Sequence, residues 1–522
     1  MSEYLYLPDS GSYTYSNPVI FCDYSDPDCI CVDGVYYLTA SSFNYVPGLP
    51  ILVSRDLVNW TLANHALKNI PVGRYEAPCH ACGVWAPAIR FHEGVFYILY
   101  GMPDEGIYMV RAADPLGEWD EPVLVLAGKG LIDPCPFWDE DGRAYVIHAY
   151  AKSRIGFNSR LGIFPVTPDC TRAIGDDKLL YDGTDRHPTI EGPKVHKRDG
   201  WYYVFAPAGG VDTGWQVVLR SRELHGPYED RIVLRQGSTD INGPHQGAWV
   251  ETPHGEDWFL HFQSRGLYGR ITHLQPMEWR EDGWPFIGQP DPEGTDVPEC
   301  GVPVEDGEVP IGGDGVPTGM IGSDAFEGPL GLQWQFMGNW RPDFYEVGGG
   351  RLRLFSRALP GGGTKLWQNP AACTQKIAAP AFFATTTVDV SGLREGGQAG
   401  LGLVGGQYAY AALRRTADGL SIVYVESEGD DHAERVLDEV AGLPDGPVTL
   451  RLTLLPTGYD TAVTTFEYAA DGVFRVIGRP FEPARHTWVG ARLALFAMPL
   501  EGAAHGGHAD FGPFVVEPVE TL

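Results

Sequence analysis

The chain has 522 residues, of which 43% are hydrophobic and 20% charged, so it is long enough for two domains and too apolar for extended disorder. The formal net charge of −30 disfavours nucleic acid or an anionic membrane as a partner and suits a neutral ligand. The 66 glycines, the 42 prolines and an aromatic content of 12% are typical of an all-β protein with many turns.

The N-terminal stretch MSEYLYLPDSGSYTYSNP lacks the basic and apolar regions of a signal peptide, and no run of residues is apolar enough to predict a transmembrane helix. Nine cysteines, an odd number, are scattered from Cys22 to Cys373. Because scattered, unpaired cysteines are typical of a reducing compartment, we expect a cytoplasmic protein. The sequence leaves a homo-oligomer open.

One pattern recurs five times in the first 290 residues, where a turn that contains glycine is followed by an aromatic-rich strand. The five glycines are Gly34, Gly94, Gly142, Gly200 and Gly255. Asp-Gly and Glu-Gly before alternating apolar residues indicate hairpins, and each repeat has room for about four short strands. The pattern predicts a five-bladed β-propeller, with an irregular β-sandwich as the alternative.

Most repeats also end in a short polar turn and an aromatic residue. These closing residues are Trp60, Trp119, Tyr228 and Trp279. The third repeat lacks a clear closing segment of this kind, so the prediction of five blades depends on five hairpins and four closing segments.

The residue eight to ten positions before each hairpin glycine is chemically distinctive. In chain order these residues are Asp26, Trp85, Asp133, Glu191 and His245. Equivalent positions of successive blades form a ring around the propeller axis. The sequence therefore predicts a central cavity lined by three carboxyl groups, a tryptophan and a histidine.

Three acids at a cavity mouth suit the cleavage of a glycosidic bond, in which one carboxylic acid protonates the leaving oxygen and another carboxylate activates water. Inversion needs these two groups about 6.5–9.5 Å apart. Asp26 and Glu191 belong to non-adjacent blades and can face each other. Asp133 is on the blade next to that of Glu191, and its negative charge is expected to raise the pKa of Glu191. Trp85 is either a platform for the sugar or a core residue.

Together these motifs resemble glycoside hydrolase family 43 over about residues 15–290. The matching segments are Tyr24-Ser-Asp-Pro27, Trp85-Ala-Pro87, Ile132-Asp-Pro134, Glu191-Gly-Pro193 and the stretch from Tyr268 to Pro285. The resemblance implies that Asp26 is the general base, Glu191 the general acid and Asp133 the group that tunes the acid. It also implies that Arg270 reaches towards the substrate and Asp133, and that Phe43 forms an aromatic subsite wall.

Two motifs raise the question of a metal. In the family that the chain resembles, a histidine at the cavity floor often lies near a bound calcium ion. His245 therefore has three possible roles: it lies near a structural Ca²⁺, it forms hydrogen bonds without a metal, or it is an ordinary core residue. Cys79-His-Ala-Cys82 has no second cysteine pair at zinc spacing, so we expect it to shape the loop before Trp85 instead. No cofactor is expected to be required.

The remainder of the chain predicts a second domain. We expect a catalytic propeller in residues 1–300, a linker rich in glycine, proline and acids in 301–321, and a β-sandwich in 322–522. Strand-like runs begin at Arg351, Phe382, Val448 and Ala491. This part resembles the jelly-roll, concanavalin-like domain of family 43 β-xylosidases, which implies either that a loop helps close the pocket or that the domain stabilises the protein or binds sugar.

The sequence thus predicts an inverting exo-glycoside hydrolase that releases xylose, L-arabinofuranose or both from plant-derived oligosaccharides. Two alternatives stay open. One is a non-catalytic carbohydrate-binding protein, and the other is a different five-bladed sugar enzyme, namely a fructosidase or a glycoside phosphorylase.

Overall fold

The computed structural model describes Leu5 and residues 13–294, 299–313 and 316–519. Within these ranges the protein is all-β, and helical turns are few and short. They are the α-helix α1 (Lys152–Ile155) and the 3-10 turns Gly73–Glu76, Gly266–Tyr268, Pro360–Gly362 and Leu366–Gln368. None of the helices in the described part of the chain is long and apolar enough to cross a membrane.

After strand β1 (Thr14–Ser16), five four-stranded antiparallel sheets follow in chain order, and each is built from consecutive strands. The first comprises β2 (Asp28–Val32), β3 (Val35–Thr39), β4 (Gly48–Ser54) and β5 (Thr61–Leu67). The second comprises β6 (Trp85–His92), β7 (Val95–Met102), β8 (Gly106–Ala112) and β9 (Val123–Ala127). The third comprises β10 (Leu131–Trp138), β11 (Ala144–Tyr150), β12 (Arg160–Val166) and β13 (Lys178–Asp182).

The fourth comprises β14 (Lys194–Arg198), β15 (Trp201–Ala208), β16 (Trp215–Ser221) and β17 (Glu229–Arg235). The fifth comprises β18 (His245–Glu251), β19 (Asp257–Ser264), β20 (Arg270–Trp279) and β21 (Pro285–Ile287). The prediction of five blades is therefore confirmed, including a complete third blade.

The predicted hairpin glycines lie between the first and second strands of their blades. In blade one, Asp33 and Gly34 both have positive φ angles, of 50° and 76°, which is the geometry of a two-residue hairpin turn and is favourable for glycine. The first strands of neighbouring blades lie side by side, β2 with β6, β6 with β10 and β10 with β14, and β18 returns to β2. This arrangement places the segments before each hairpin around one axis.

The ring is closed by segments outside the blades. Strand β1 pairs with β22 (Asp306–Glu308), which follows blade five. Ile20 also forms a bridge with Thr272 of β20. The beginning of the described chain is thereby fixed to the last blade.

The remaining strands form a sandwich of two antiparallel sheets. They are β23 (Gln335–Phe336), β24 (Tyr345–Val347), β25 (Leu352–Phe355), β26 (Cys373–Lys376), β27 (Phe382–Asp389), β28 (Gly397–Val404), β29 (Tyr408–Thr416), β30 (Gly419–Glu428), β31 (Ala433–Leu443), β32 (Val448–Pro456), β33 (Ala462–Ala469), β34 (Arg475–Phe481), β35 (Arg492–Pro499), β36 (His508–Phe511) and β37 (Val515–Pro518). One sheet has the order β23-β26-β35-β28-β29-β30-β31. The other has the order β24-β25-β36-β27-β32-β33-β34, with β37 paired to β27.

The propeller and the sandwich share a hydrophobic core. The largest buried cluster contains Phe21 and Val46 from the propeller together with Phe336 and Cys373 from the sandwich. Val46 and Phe336 also pair through their backbones. Since apolar side chains of both domains are removed from water together, separating the domains would expose core surface.

Candidate active site

A cavity of about 570 Å³ opens at the propeller axis. It brings together six of the seven site residues predicted from the sequence, namely Asp26, Phe43, Trp85, Asp133, Glu191 and Arg270. The volume is in the range of small-molecule sites. The acids come from blades one, three and four, so their convergence follows from the ring of blades.

Asp26 lies just before β2, is buried, and is surrounded by hydrogen-bond donors. Ser25 Oγ and Ser41 Oγ donate to its Oδ2 over 2.8 and 2.5 Å. Arg270 Nη1 donates to its Oδ1 over 2.8 Å and also contacts Ser25 Oγ. Both oxygens therefore accept hydrogen bonds, which fixes the orientation of the carboxyl group.

The resemblance implied that Arg270 reaches towards the substrate and Asp133. Arg270 does line the cavity, but the hydrogen bonds of its guanidinium run to Asp26 and Ser25 at blade one. The physical reason is the backbone anchor, since Arg270 N donates to Asp23 Oδ1 over 2.8 Å and holds the start of β20 beside blade one.

Asp133 lies within β10 and is more deeply buried than the other two acids. Its Oδ2 accepts hydrogen bonds from Gly192 N at 2.8 Å and from Gln246 Nε2 at 3.1 Å. Burial, followed by the negative charges of Glu191 and Asp26, raises the pKa of Asp133 to about 8. Asp133 is the more deeply buried member of its pair with Glu191.

Glu191 precedes β14, and its side chain is 27% exposed, whereas that of Asp26 is only 7% exposed. One of its oxygens, Oε1, lies 2.9 Å from His245 Nε2. The following residue, Gly192, has a φ of 56°, a conformation that favours glycine. Glu191 is thus held at one oxygen and is accessible from the cavity.

The sequence predicted that His245 lines the cavity and contacts the substrate, but in the structure its side chain is fully buried behind Glu191 and does not line the cavity. The cause is a bulge at the start of β18, where the pairing shifts between His245 and Gly247. Gln246, with a φ of 42°, faces the cavity in its place.

His245 also fails to complete a metal site. Its Nδ1 is buried and has no hydrogen-bond partner within the described residues, so it offers one free nitrogen. Ca²⁺ prefers six to eight oxygen ligands. In the same described ranges, no group of three or more histidine, cysteine or acidic residues could hold a metal ion, which includes the segment from Cys79 to Cys82. The donor set at His245 therefore does not fit a metal ion.

Phe43 and Trp85 form an aromatic wall of the cavity. Their rings meet edge to face, with centroids 6.5 Å apart. Phe43 pairs through its backbone with Val84, and this close approach requires Gly83, where a Cβ would lie 2.2 Å from Phe43 O. The side chains are therefore positioned by a tight backbone contact between blades one and two.

The sandwich completes the cavity with Trp488, from the loop between β34 and β35. Arg485 of this loop pairs with Asp212 of the propeller at 3.2 Å, and Gly490 N donates to Asp23 Oδ2 over 2.9 Å. Asp23 thus holds both the sandwich loop and the backbone of Arg270. The loop that the resemblance implied is present at the cavity.

The cavity is lined by unusual backbone conformations. Positive φ angles occur at Asp26 (57°), Phe43 (52°), Asp133 (55°), Gln246 (42°) and Trp488 (69°). Such angles are uncommon in residues other than glycine and cost free energy. Their concentration at one cavity is typical of a functional site.

Sequence reasoning missed four residues that shape this site. They are Asp23, Ser41, Gln246 and Trp488. Gln246 follows the predicted residue His245, and Ser41 lies two positions before the predicted residue Phe43. No local signal points to Asp23 or Trp488, because their contacts join distant parts of the chain.

Two protein families match different parts of the chain. The family described as glycosyl hydrolases family 43 matches residues 15–285. The family described as the beta xylosidase C-terminal concanavalin A-like domain matches residues 323–517. The first match covers the blades and the second covers the sandwich.

Relatives and solved structures agree with these matches. A protein of Xylanibacter ruminicola named as a β-xylosidase is 40% identical over 385 residues, which is 74% of this chain and 70% of its own. A β-xylosidase of Formosa agariphila is 30% identical over 544 aligned positions, with 94% of this chain and 88% of its own covered. A solved structure of a variant of the GH43 protein BlXynB from Bacillus licheniformis shares 26% identity and a TM-score of 0.82, with 97% and 100% of the two chains covered. The chain belongs to glycosyl hydrolase family 43 and is a glycoside hydrolase.

Proposed function

We propose that the protein releases single pentose units, xylose or L-arabinofuranose, from the non-reducing ends of plant-derived oligosaccharides with inversion at the anomeric carbon. The observation that carries this proposal is the axial cavity, in which a buried Asp26 and an accessible Glu191 come from non-adjacent blades. The β-xylosidase names of the two relatives support xylose as the first substrate to test.

Asp26 is proposed as the general base. Ser25, Ser41 and Arg270 all donate to its oxygens, which suits a carboxylate that accepts a proton from water. Because these contacts fix the carboxyl plane, the attacking water would meet the base in one orientation.

Glu191 is proposed as the general acid. It is the most exposed of the three acids, and an acid that protonates a departing sugar must reach the side from which that sugar leaves. His245 holds Oε1 and leaves Oε2 for the leaving oxygen. Asp133 contributes through its raised pKa, since its carboxyl group then keeps a proton beside Glu191 near neutral pH.

Exo-action is proposed from the cavity walls. Phe43 and Trp85 from the propeller and Trp488 from the sandwich enclose the space around the acids. Aromatic faces bind the apolar C–H faces of sugars. A space with walls from both domains favours the end of a chain over its middle.

The test is proton NMR of xylobiose hydrolysis. We expect α-xylose as the first-formed anomer from the β-linked substrate, and β-xylose first would overturn inversion. Nitrophenyl β-xyloside and nitrophenyl α-L-arabinofuranoside, assayed in parallel, rank the two sugars. Binding of xylobiose without hydrolysis would favour a carbohydrate-binding protein, and sugar phosphate formed on adding phosphate would favour a phosphorylase.

Metal independence is a separate part of the proposal. Since the donor set at His245 does not fit Ca²⁺, we expect treatment with EDTA and removal of the chelator to leave the hydrolysis rate unchanged. Loss of activity that is restored by added Ca²⁺ would instead support an ion held largely by water.

A further inference from the structure

Cys79 and Cys82 are the two ends of a tight turn that directly precedes the wall residue Trp85. Cys82 N donates to Cys79 O over 3.0 Å, and Ala81 between them has a φ of 59°. The first and last Cα atoms of such a turn lie within about 7 Å. Disulfides usually span about 4.4–6.8 Å between Cα atoms, so the turn brings the two cysteines to bonding range.

Cys79 and Cys82 are more accessible than most of the other cysteines. Both are half-buried, whereas six of the remaining seven are buried, and burial raises the pKa of the Cys22 and Cys170 thiols to about 12. The hydrogen bond from Cys82 lowers the pKa of Cys79 to about 7 against the opposing effect of burial, and the same hydrogen bond, together with burial, raises the pKa of Cys82. Because the thiolate is the reactive form, Cys79 is the favoured nucleophile.

The turn also holds Trp85 in place. Trp85 Nε1 donates to Ala81 O over 3.0 Å. Arg154 contacts both Cys82 and Trp85. Its Nη2 lies 3.7 Å from Cys82 Sγ, and its guanidinium lies 5.4 Å from the centre of the Trp85 ring. A change in the bonding of Cys82 therefore reaches the indole through the turn and through Arg154.

The opposite side of the turn is fixed by the sandwich. The His80 ring stacks on Trp367 with centroids 3.5 Å apart, and its Nε2 contacts Trp367 O at 2.8 Å. Since His80 is held by packing and a hydrogen bond, a change in the bonding of the two cysteines is expected to move Ala81 and Trp85 instead.

We infer that Cys79 and Cys82 form a thiol–disulfide site whose oxidation moves Trp85 and weakens sugar binding. The oxidant is a small disulfide such as glutathione disulfide. The Cys79 thiolate attacks it, the oxidant S–S bond breaks, a mixed disulfide forms and one thiolate leaves. Cys82 loses its proton and attacks the Cys79 sulfur, which releases the second thiolate. Two cysteine thiols lose two electrons and two protons, and one disulfide is reduced to two thiols.

The experiment incubates the intact protein in mixtures of glutathione and glutathione disulfide, alkylates the free thiols and maps the peptides by mass. We expect Cys79 and Cys82 to lose alkylation together, with a peptide lighter by two hydrogens, before any other cysteine reacts. In the oxidised protein we expect KM for nitrophenyl β-xyloside to rise about fivefold, which corresponds to about 1 kcal/mol, with a smaller change in kcat.

Matched variants separate this site from general oxidation. Cys79→Ser and Cys82→Ser should keep the KM of the reduced protein under oxidising conditions. Cys31→Ser, at the third half-buried cysteine, should respond as the wild type does. Full alkylation of both cysteines in glutathione disulfide would overturn the inference, as would a disulfide that leaves KM unchanged. The peptide map is read without substrate, so it stands apart from the proposed hydrolysis.

Discussion

Arg270, the first residue of β20, donates a hydrogen bond from Nη1 to Asp26 Oδ1 over 2.8 Å and so joins blade five to blade one. Both side chains are less than a tenth exposed. Breaking a buried ion pair from one side leaves an uncompensated charge and costs about 3–5 kcal/mol, so the base and its partner are expected to act as a unit.

Arg270→Lys should lower kcat/KM about 10- to 100-fold. Lysine keeps the charge but lacks the rigid, planar guanidinium that places Nη1 against both Asp26 and Ser25, and a hydrogen bond to a charged group is worth about 1.5–3 kcal/mol. Steady-state kinetics on nitrophenyl β-xyloside measure the change. Arg231→Lys, in a peripheral ion pair with Asp282, is the control. Equal kinetics in the two variants would contradict the expectation.

Glu191→Gln should distinguish leaving groups. Loss of a general acid typically costs about 10²–10⁴-fold, and nitrophenolate needs little protonation, so we expect xylobiose hydrolysis to fall far more than nitrophenyl β-xyloside hydrolysis. Initial rates on both substrates provide the comparison. Glu223→Gln, exposed on the same blade, should match the wild type. An equal loss on both substrates would remove the acid role.

Asp133→Asn should flatten the dependence of stability on pH. The pKa of Asp133 is raised to about 8, against about 3.9 in an unfolded chain, so between these values the folded state holds a proton that the unfolded state has released. The contribution of this carboxyl group to stability is complete below about pH 4 and is lost as pH rises through about 8.

Thermal unfolding of wild type and Asp133→Asn between pH 4 and 9 tests this sign. The Tm of the variant, relative to wild type, should increase with pH. Asp199→Asn, which changes an exposed turn residue of blade four, should follow the wild-type curve. A Tm difference between Asp133→Asn and wild type that does not vary with pH would contradict the raised pKa.

Trp488→Ala should raise KM for xylobiose about fivefold or more with a smaller effect on kcat, because the indole lines the cavity while lying 5.3 Å from the Arg270 guanidinium. The exposed Trp340 of the same domain offers the control, Trp340→Ala. Kinetics at varied xylobiose concentration separate the two constants. If KM were equal in both variants, the sandwich would have no part in binding.

The blades were predictable because their signals are local. Hairpin glycines and alternating aromatic residues lie within ten residues of each other, so the order of blades and the placement of Asp26, Asp133 and Glu191 followed from the chain itself. The strands expected near Phe382 and Val448 also correspond to β27 and β32.

The predictions for His245 and Arg270 differ from the structure because of a one-residue bulge and because of contacts between distant segments. A bulge of one residue exchanges His245 for Gln246 at the cavity, and periodicity cannot detect such a bulge. The partner of Arg270 depends on how blade five meets blade one, and Trp488 enters from a separate domain. Contacts of this kind become visible only when distant segments are brought together.

The carboxylate of Asp23 joins residues that are synthesised far apart, since it holds the backbone of Arg270 and that of Gly490 at once. A ribosome that has completed all five blades has therefore not yet made one of the two groups that this carboxylate binds. When the propeller has been made, Asp26, Asp133 and Glu191 are present, but Trp488, which forms one wall of the cavity, has not yet been synthesised. The cavity can be completed only after the chain has been made as far as Gly490.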